Sequence, residues 1–178
     1  MKKILKVFLI TVFMTLLFME SCIKWEDEPL TIVKKPYEGM ELRTDGYYFN
    51  MEDGKIWYTY FFYRNGGLLY GAGTDTLDDN LDKYDDWFVS EAFLDYIKTN
   101  KRRWGLFEIH DDSIVFERWV MAEGGFPVLR FSGNIIDDTT FIITRSEYPH
   151  QGDAYNKYEI FHFHAFSPKP DSTNMFIP

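Results

Sequence analysis

Apolar and polar positions alternate with a period of two through most of this chain. From Gly46 onward, short runs rich in aromatic and β-branched residues are separated by pairs of turn formers, the signature of antiparallel strands. The runs cover residues 46–51, 55–64, 67–73, 104–110, 113–121, 126–136, 139–147 and 155–166. Asp53-Gly54 and Asn65-Gly66 read as two-residue hairpin turns, because these residues tolerate the positive φ that a tight turn demands. Asp111-Asp112, Gly124-Gly125 and Asp137-Asp138 mark three further turns. Across the turn at 111–112, Phe107, Ile109, Ile114 and Phe116 share one face. In the next run Leu129, Phe131 and Ile135 share a face, opposite Arg130, Ser132 and Asn134.

The alternation breaks once. Residues 75–86 are acidic, and over 87–99 the period changes to that of a helix, with Val89, Phe93, Tyr96 and Ile97 on one side and Glu91 and Asp95 elsewhere. Acidic residues before this stretch and Lys98, Lys101, Arg102 and Arg103 after it both suit the helix dipole. The expected fold is all-β and mainly antiparallel: eight strands in up-and-down order, with one helix between strands 3 and 4. Closing eight strands into a barrel removes two aromatic-rich edges that would otherwise invite aggregation.

The N-terminus follows a different pattern. Lys2, Lys3 and Lys6 precede thirteen uncharged residues, 7–19, polar only at Thr11 and Thr15. A spanning helix needs about 20 apolar residues, so this is the length of a signal-peptide core. Ser21 and Cys22, the only cysteine, follow. The stretch resembles a bacterial lipoprotein signal, in which a peptidase cuts before a lipid-modified cysteine. Met19 stands in place of the usual leucine and Glu20 in place of the usual small residue. The resemblance implies a signal peptide over 1–21, acylation (palmitate-type chains) at Cys22 and a membrane partner reached through that anchor. With two or three chains the attachment is effectively stable. Lys24-Trp25-Glu26-Asp27-Glu28 resembles the lysine-plus-acidic export signals of lipoproteins sent to the cell surface in one group of Gram-negative bacteria. The expected place is the cell envelope, on the outer membrane and facing outward. Residues 22–41, with Pro29 and Pro36, read as a tether, 42–168 as the barrel and 169–178 as a tail whose Met175, Phe176 and Ile177 dock on the body.

The layout over 42–168 resembles the lipocalin-like (calycin) family: a leader, a Gly-aromatic first strand, an eight-strand barrel and an attached helix. Gly46-Tyr47-Tyr48 occupies the place of that family's Gly-x-Trp, with tyrosine for tryptophan, and the helix comes early where the family's comes late. The resemblance implies either a cup for a small apolar molecule or a filled barrel with a structural role.

Composition narrows the function classes. Removing 1–21 takes away Lys2, Lys3, Lys6 and Glu20, which turns the net charge of −9 into −11. A nucleic-acid partner would be repelled by that field. An acylated Cys22 leaves no thiol for a disulfide. His162 and His164 alternate on the last strand, but no third ligand is placed by spacing, and no HExxH or CxxC occurs, so no metal or other cofactor is expected. The acidic run containing Asp75, Asp78, Asp79, Asp82, Asp85 and Asp86 fails the EF-hand pattern, since Lys83 stands where glycine is needed and Val89 where glutamate is needed. Glu108 and His110 share a strand face near Asp111 and Asp112, without a nucleophile in a recognisable setting, and the chain is not expected to be an enzyme.

Two functional readings remain. In the first, the barrel holds a small apolar or amphiphilic ligand lined by Tyr58, Tyr60, Phe107, Ile109, Ile114, Phe116, Leu129 and Phe131. Arg145, in phase with Phe141 and Ile143, is expected to point inward, either pairing with Glu117 or Glu159, the preferred reading, or serving, as a tyrosine could, as the polar contact of the ligand. In the second, the barrel is filled and its outer aromatic surface docks a protein or glycan of a surface assembly. Strand 55–64 carries Trp57, Phe61 and Tyr63 on one face and Tyr58, Tyr60 and Phe62 on the other; its inner face is left open. A connected cavity of several hundred Å3 supports the first reading, and a solid core the second.

Overall fold

The computed structural model describes residues 27–71, 80–122 and 125–177. Eight strands form one closed barrel in meander order: β1 (Gly46–Glu52), β2 (Lys55–Phe62), β3 (Gly67–Tyr70), β4 (Trp104–His110), β5 (Ser113–Trp119), β6 (Val128–Asp137), β7 (Thr140–Glu147) and β8 (Ala154–Ala165). Each strand pairs antiparallel with its neighbours in sequence. β1 closes against β8 from Gly46↔Ala165 to Asn50↔Phe161, so the ladder has no free edge. The turns use the residues their geometry demands. Asp53 and Gly54 both take positive φ, 51° and 71°, which matches the twist of the strands they join. Gly66 has φ 82°, and a Cβ there would lie 2.1 Å from the Lys35 carbonyl oxygen. That glycine serves both the turn and the close approach of the N-terminal segment.

The helical insertion is two helices rather than one: α1 (Leu81–Val89) and α2 (Glu91–Thr99), followed by a 3-10 turn at Lys101–Arg103. Ser90 makes the break. Its backbone is extended, its N–H donates to the Trp87 carbonyl to end α1, and its hydroxyl accepts from the Phe93 N–H to begin α2. The break turns Val89 out to solvent while Phe88, Phe93 and Ile97 stay buried.

Two apolar cores result, one inside the barrel and one between its outer face and the helices. Phe88 is the hinge of the outer core, with its ring centroid 5.1 Å from Tyr47 and 5.0 Å from Phe61. Tyr84 donates its hydroxyl to the Ile56 carbonyl, and the Trp104 indole donates to the Ile97 carbonyl at 2.7 Å. The open question of β2 is thereby answered. Tyr58, Tyr60 and Phe62 join the inner cluster, Phe61 and Tyr63 the outer one, and Trp57 stays exposed.

The segment read as a tether is docked along the barrel from residue 27 onward. The Glu28 N–H donates to the Phe126 carbonyl, the Trp119 indole donates to the Glu28 carbonyl, and the Tyr37 N–H donates to the Arg64 carbonyl. Ile32 and Leu42 are buried. The tail docks too. Tyr63 donates to the Pro170 carbonyl and Lys169 to the Thr44 and Phe62 carbonyls. Ile177 is buried and Phe176 packs beside it, while Met175 stays exposed. Cys22, with the rest of 1–26, and Asp75, Asp78 and Asp79 lie outside the described residues.

Candidate functional site

Strand alternation sends one residue in two into the barrel, so the interior can be read off the register. Cross-strand partners share a face: Tyr48↔Tyr60, Phe62↔Leu68, Phe107↔Phe116, Phe116↔Phe131 and Phe141↔Phe161. All eight apolar positions expected to line a cavity belong to this inner cluster. They do not line a space; they fill it. Tyr60, Phe107, Ile114, Phe116 and Phe131 are each no more than 4% exposed. Phe116 stacks on Phe131 at 4.9 Å, Tyr60 meets Phe116 at 4.9 Å, and Phe62 meets Phe107 edge-on at 5.0 Å. Tyr58, Ile109 and Leu129 lie partly buried at the two ends of this stack.

One end is closed by side chains from the N-terminal segment. Leu42 is buried there, and the Tyr37 ring packs edge-on against Phe107. Tyr48 donates its hydroxyl to the Asp138 carbonyl at 2.6 Å and accepts from the Arg43 N–H. Arg43 in turn lies over the Phe163 ring at 4.3 Å. Tyr48 therefore plugs this end.

The expected inward arginine is in error. Arg145 faces outward, half exposed, and pairs with Glu147 at 2.9 Å. Against β6, a bulge between Ile143 and Arg145 inserts one residue into β7 and reverses the phase that Phe141 and Ile143 set. The arginine that does enter the barrel is Arg118. It follows Ile114 and Phe116 by simple alternation, and that signal was present in the sequence. Arg118 is 9% exposed, with its guanidinium 4.3 Å over the Tyr70 ring and 5.8 Å from Phe131. Among the described residues it has no carboxylate within ion-pair distance, and its Nε is buried without a hydrogen-bond partner. Burial holds the Tyr60 hydroxyl well above the usual tyrosine range, with nearby Arg118 opposing part of that rise. Lys157 and Glu159, paired at 2.8 Å, stand on the last strand near Arg118's end of the barrel, with Lys157 5.8 Å from the Phe131 ring.

The other candidate groups are spread over the outer face. His162 lies beside Phe49, whereas His164 bonds Asp85, which also accepts from the Tyr47 hydroxyl at 2.9 Å. His110 sits 3.5 Å from Glu108 at a strand end. Among the described residues no three histidine, cysteine, aspartate or glutamate side chains gather as a metal site. No described helix is long and apolar enough to cross a membrane.

Three described cavities lie outside the barrel. One, of about 530 Å3, runs between α2 and the tail, walled by Phe88, Leu94, Ile97, Trp104, Pro168 and Pro170. A second, of about 640 Å3, is a groove on β1 and β8 beside Phe49, Met51, Glu52, Tyr158 and His162. Tyr158 is 74% exposed there, and the exposed Trp57 indole donates to the Glu52 carbonyl at its rim. The third, of about 580 Å3, adjoins the 3-10 turn, between Asp27, Lys101, Arg102, Met121, Phe126 and Phe176. Comparison with protein-family models, curated proteins and solved structures finds no match to this chain.

Proposed function

We propose that the chain is a lipid-anchored cell-envelope barrel that acts through its outer surface, as a protein- or glycan-interaction module, rather than as an enzyme. The observation that carries this reading is the solid interior. Rings from β1, β2, β4, β5, β6, β7 and β8 meet at 4.8 to 5.9 Å through the inner cluster, and a cup for an apolar ligand needs that volume. The outer groove on β1 and β8 offers what the interior lacks: exposed aromatic area next to carboxylate and amide groups. Native mass spectrometry of the protein purified from its own host tests the proposal. A single mass for the acylated chain supports it; a co-purified small molecule in stoichiometric amount overturns it.

Arg118 favours a second reading, narrower than a ligand-filled cup. A buried guanidinium without a carboxylate partner among the described residues is costly and would welcome the anionic head of an amphiphile at that end of the barrel. The same mass spectrum separates the two readings, because the second requires an acidic adduct.

A further inference from the structure

We infer that one particular face of the barrel, built by the 3-10 turn at Lys101–Arg103, the groove beside it and the C-terminal residues, lies against an anionic lipid surface. The inference rests on the acyl anchor at Cys22 proposed above. It begins from where the docked chain ends. Asp27 is held by the Lys101 ammonium at 2.8 Å, and Glu28 by four contacts: its N–H donates to the Phe126 carbonyl, its carbonyl accepts from the Trp119 indole, and its carboxylate accepts from the Val128 N–H and the Gln151 side-chain amide. A longer tether would let the barrel tumble freely above its anchor. Here only five residue steps separate Cys22 from Asp27, and a fully extended chain covers about 17 Å over that span. Whatever surrounds Asp27 is thus kept within about 17 Å of the acylated residue.

What surrounds Asp27 suits that place. Lys98, Lys101, Arg102 and Arg103 supply four cations within six residues, in a chain whose mature net charge is −11. Among the described residues the carboxylates paired with them are Asp27 on Lys101 and Asp95 on Lys98, and neither Arg102 nor Arg103 has one. The arginines rest on Tyr96, whose hydroxyl accepts from both. Beside them Met121 is 70% exposed, and Phe126 and Phe176 wall the groove. Met175, 80% exposed, precedes Phe176 in the tail. Cations flanked by exposed apolar side chains match the interface of an anionic bilayer, whose negative surface potential attracts near-surface lysine and arginine. The opposite, plugged end of the barrel, with the exposed Ile136 beside the Asp137-Asp138 turn, would then face away from the membrane.

Site-directed labelling of the full acylated chain tests this. Single-cysteine variants Met121→Cys and Ile136→Cys are reconstituted into vesicles of phosphatidylethanolamine and phosphatidylglycerol and exposed to a bulky polyethylene-glycol maleimide. The expected result is at least tenfold slower labelling at 121 in vesicles than in detergent, with labelling at 136 unchanged within twofold. Thr99→Cys, at an exposed position of the same groove, repeats the measurement if the Met121 variant misfolds. A chain that sediments with the vesicles but labels equally at both ends overturns the orientation alone. A chain that fails to sediment and whose Cys22 itself takes up the maleimide overturns the anchor, and this inference with it.

Discussion

Phe141 and Phe161 lie face to face across β7 and β8, with centroids 4.8 Å apart and planes within 5°. Both are at most 1% exposed, and Tyr60 closes on Phe161 from the far wall at 5.6 Å. The barrel is thus spanned by rings. Phe161→Ala removes one side of that stack and is expected to cost about 3–5 kcal/mol, the range for deleting a buried phenylalanine. Urea unfolding checks it. A loss under about 1 kcal/mol would mean that the interior relaxes easily and is not the packed core on which the functional reading stands.

Arg118 gives the opposite expectation. Among the described residues its charge is buried without a carboxylate, and its contacts include the Tyr60 hydroxyl, the Tyr70 and Phe131 rings and a long bond from Nη1 to the Trp119 carbonyl at 3.4 Å. Methionine keeps most of the volume and removes the desolvation cost, so Arg118→Met is expected to leave stability unchanged or raise it, as for other buried charges replaced by apolar groups. Arg118→Ala, which also loses the packing on Tyr70, should destabilise. Thermal unfolding of the pair decides. A methionine variant less stable than wild type by more than about 2 kcal/mol would show that the guanidinium is a structural tie.

The barrel was legible because period-two alternation and turn residues such as Asp53-Gly54 survive without any tertiary knowledge, and because closure follows from strand number and edge cost. The face of β2 was not legible, since it is apolar on both sides: one side fills the lumen and the other lies under α1 and the tail. The serine break between α1 and α2 was hidden by a helical period that continues through it. Arg145 was misassigned for a single reason, the bulge in β7, which no residue pattern marks. Arg118 was within reach by counting two positions on from Phe116. The docking of 27–42 carries no mark in the sequence, because its anchor, Glu117, reads as an ordinary outward polar residue of β5 until its partners are known.

Glu117 is fully buried on the outside of the barrel, where it accepts the Thr31 N–H at 2.6 Å, the Thr31 hydroxyl, the Ile32 N–H and the Arg130 guanidinium. Burial pushes its carboxyl upward, but these hydrogen bonds outweigh burial and hold it below the usual glutamate range. A carboxyl lowered in the folded state binds fewer protons there than when unfolded. Its stabilisation is therefore present above about pH 4.3, the ordinary glutamate value, and is lost as pH falls through the lower folded value. Glu117→Gln is expected to cost about 2–4 kcal/mol at pH 7, the scale of breaking a buried charged network. The deficit should shrink toward pH 3. Urea unfolding at both pH values reads this out, and protease cuts within residues 27–36 should appear first in the variant. An equal deficit at pH 7 and pH 3 would refute the electrostatic account.

Lys169 carries the complementary pH dependence. Its ammonium is drawn under the barrel wall, donates to the Thr44 carbonyl at 2.5 Å and the Phe62 carbonyl at 2.9 Å, and lies over the Tyr63 ring at 4.3 Å. Burial, with a smaller push from Arg64 and partial compensation by Asp45, brings it down to about 8. Below that pH both folded and unfolded chains keep the proton, so the burial penalty is carried in full. Between about pH 8 and the ordinary lysine value of about 10.4, the unfolded chain binds more protons than the folded one, so stability rises with pH. Above about pH 10 the buried Tyr47, Tyr48, Tyr60 and Tyr63, all raised chiefly by burial, work in the other direction, because the unfolded chain then loses protons that the folded one keeps. The clean window is pH 8 to 10. There the melting temperature of wild type relative to Lys169→Met should climb, and below pH 8 the difference should be flat. A difference that stays level from pH 7 to 10 would show that Lys169 titrates like a solvent-exposed lysine and that the tail does not hold it under the wall.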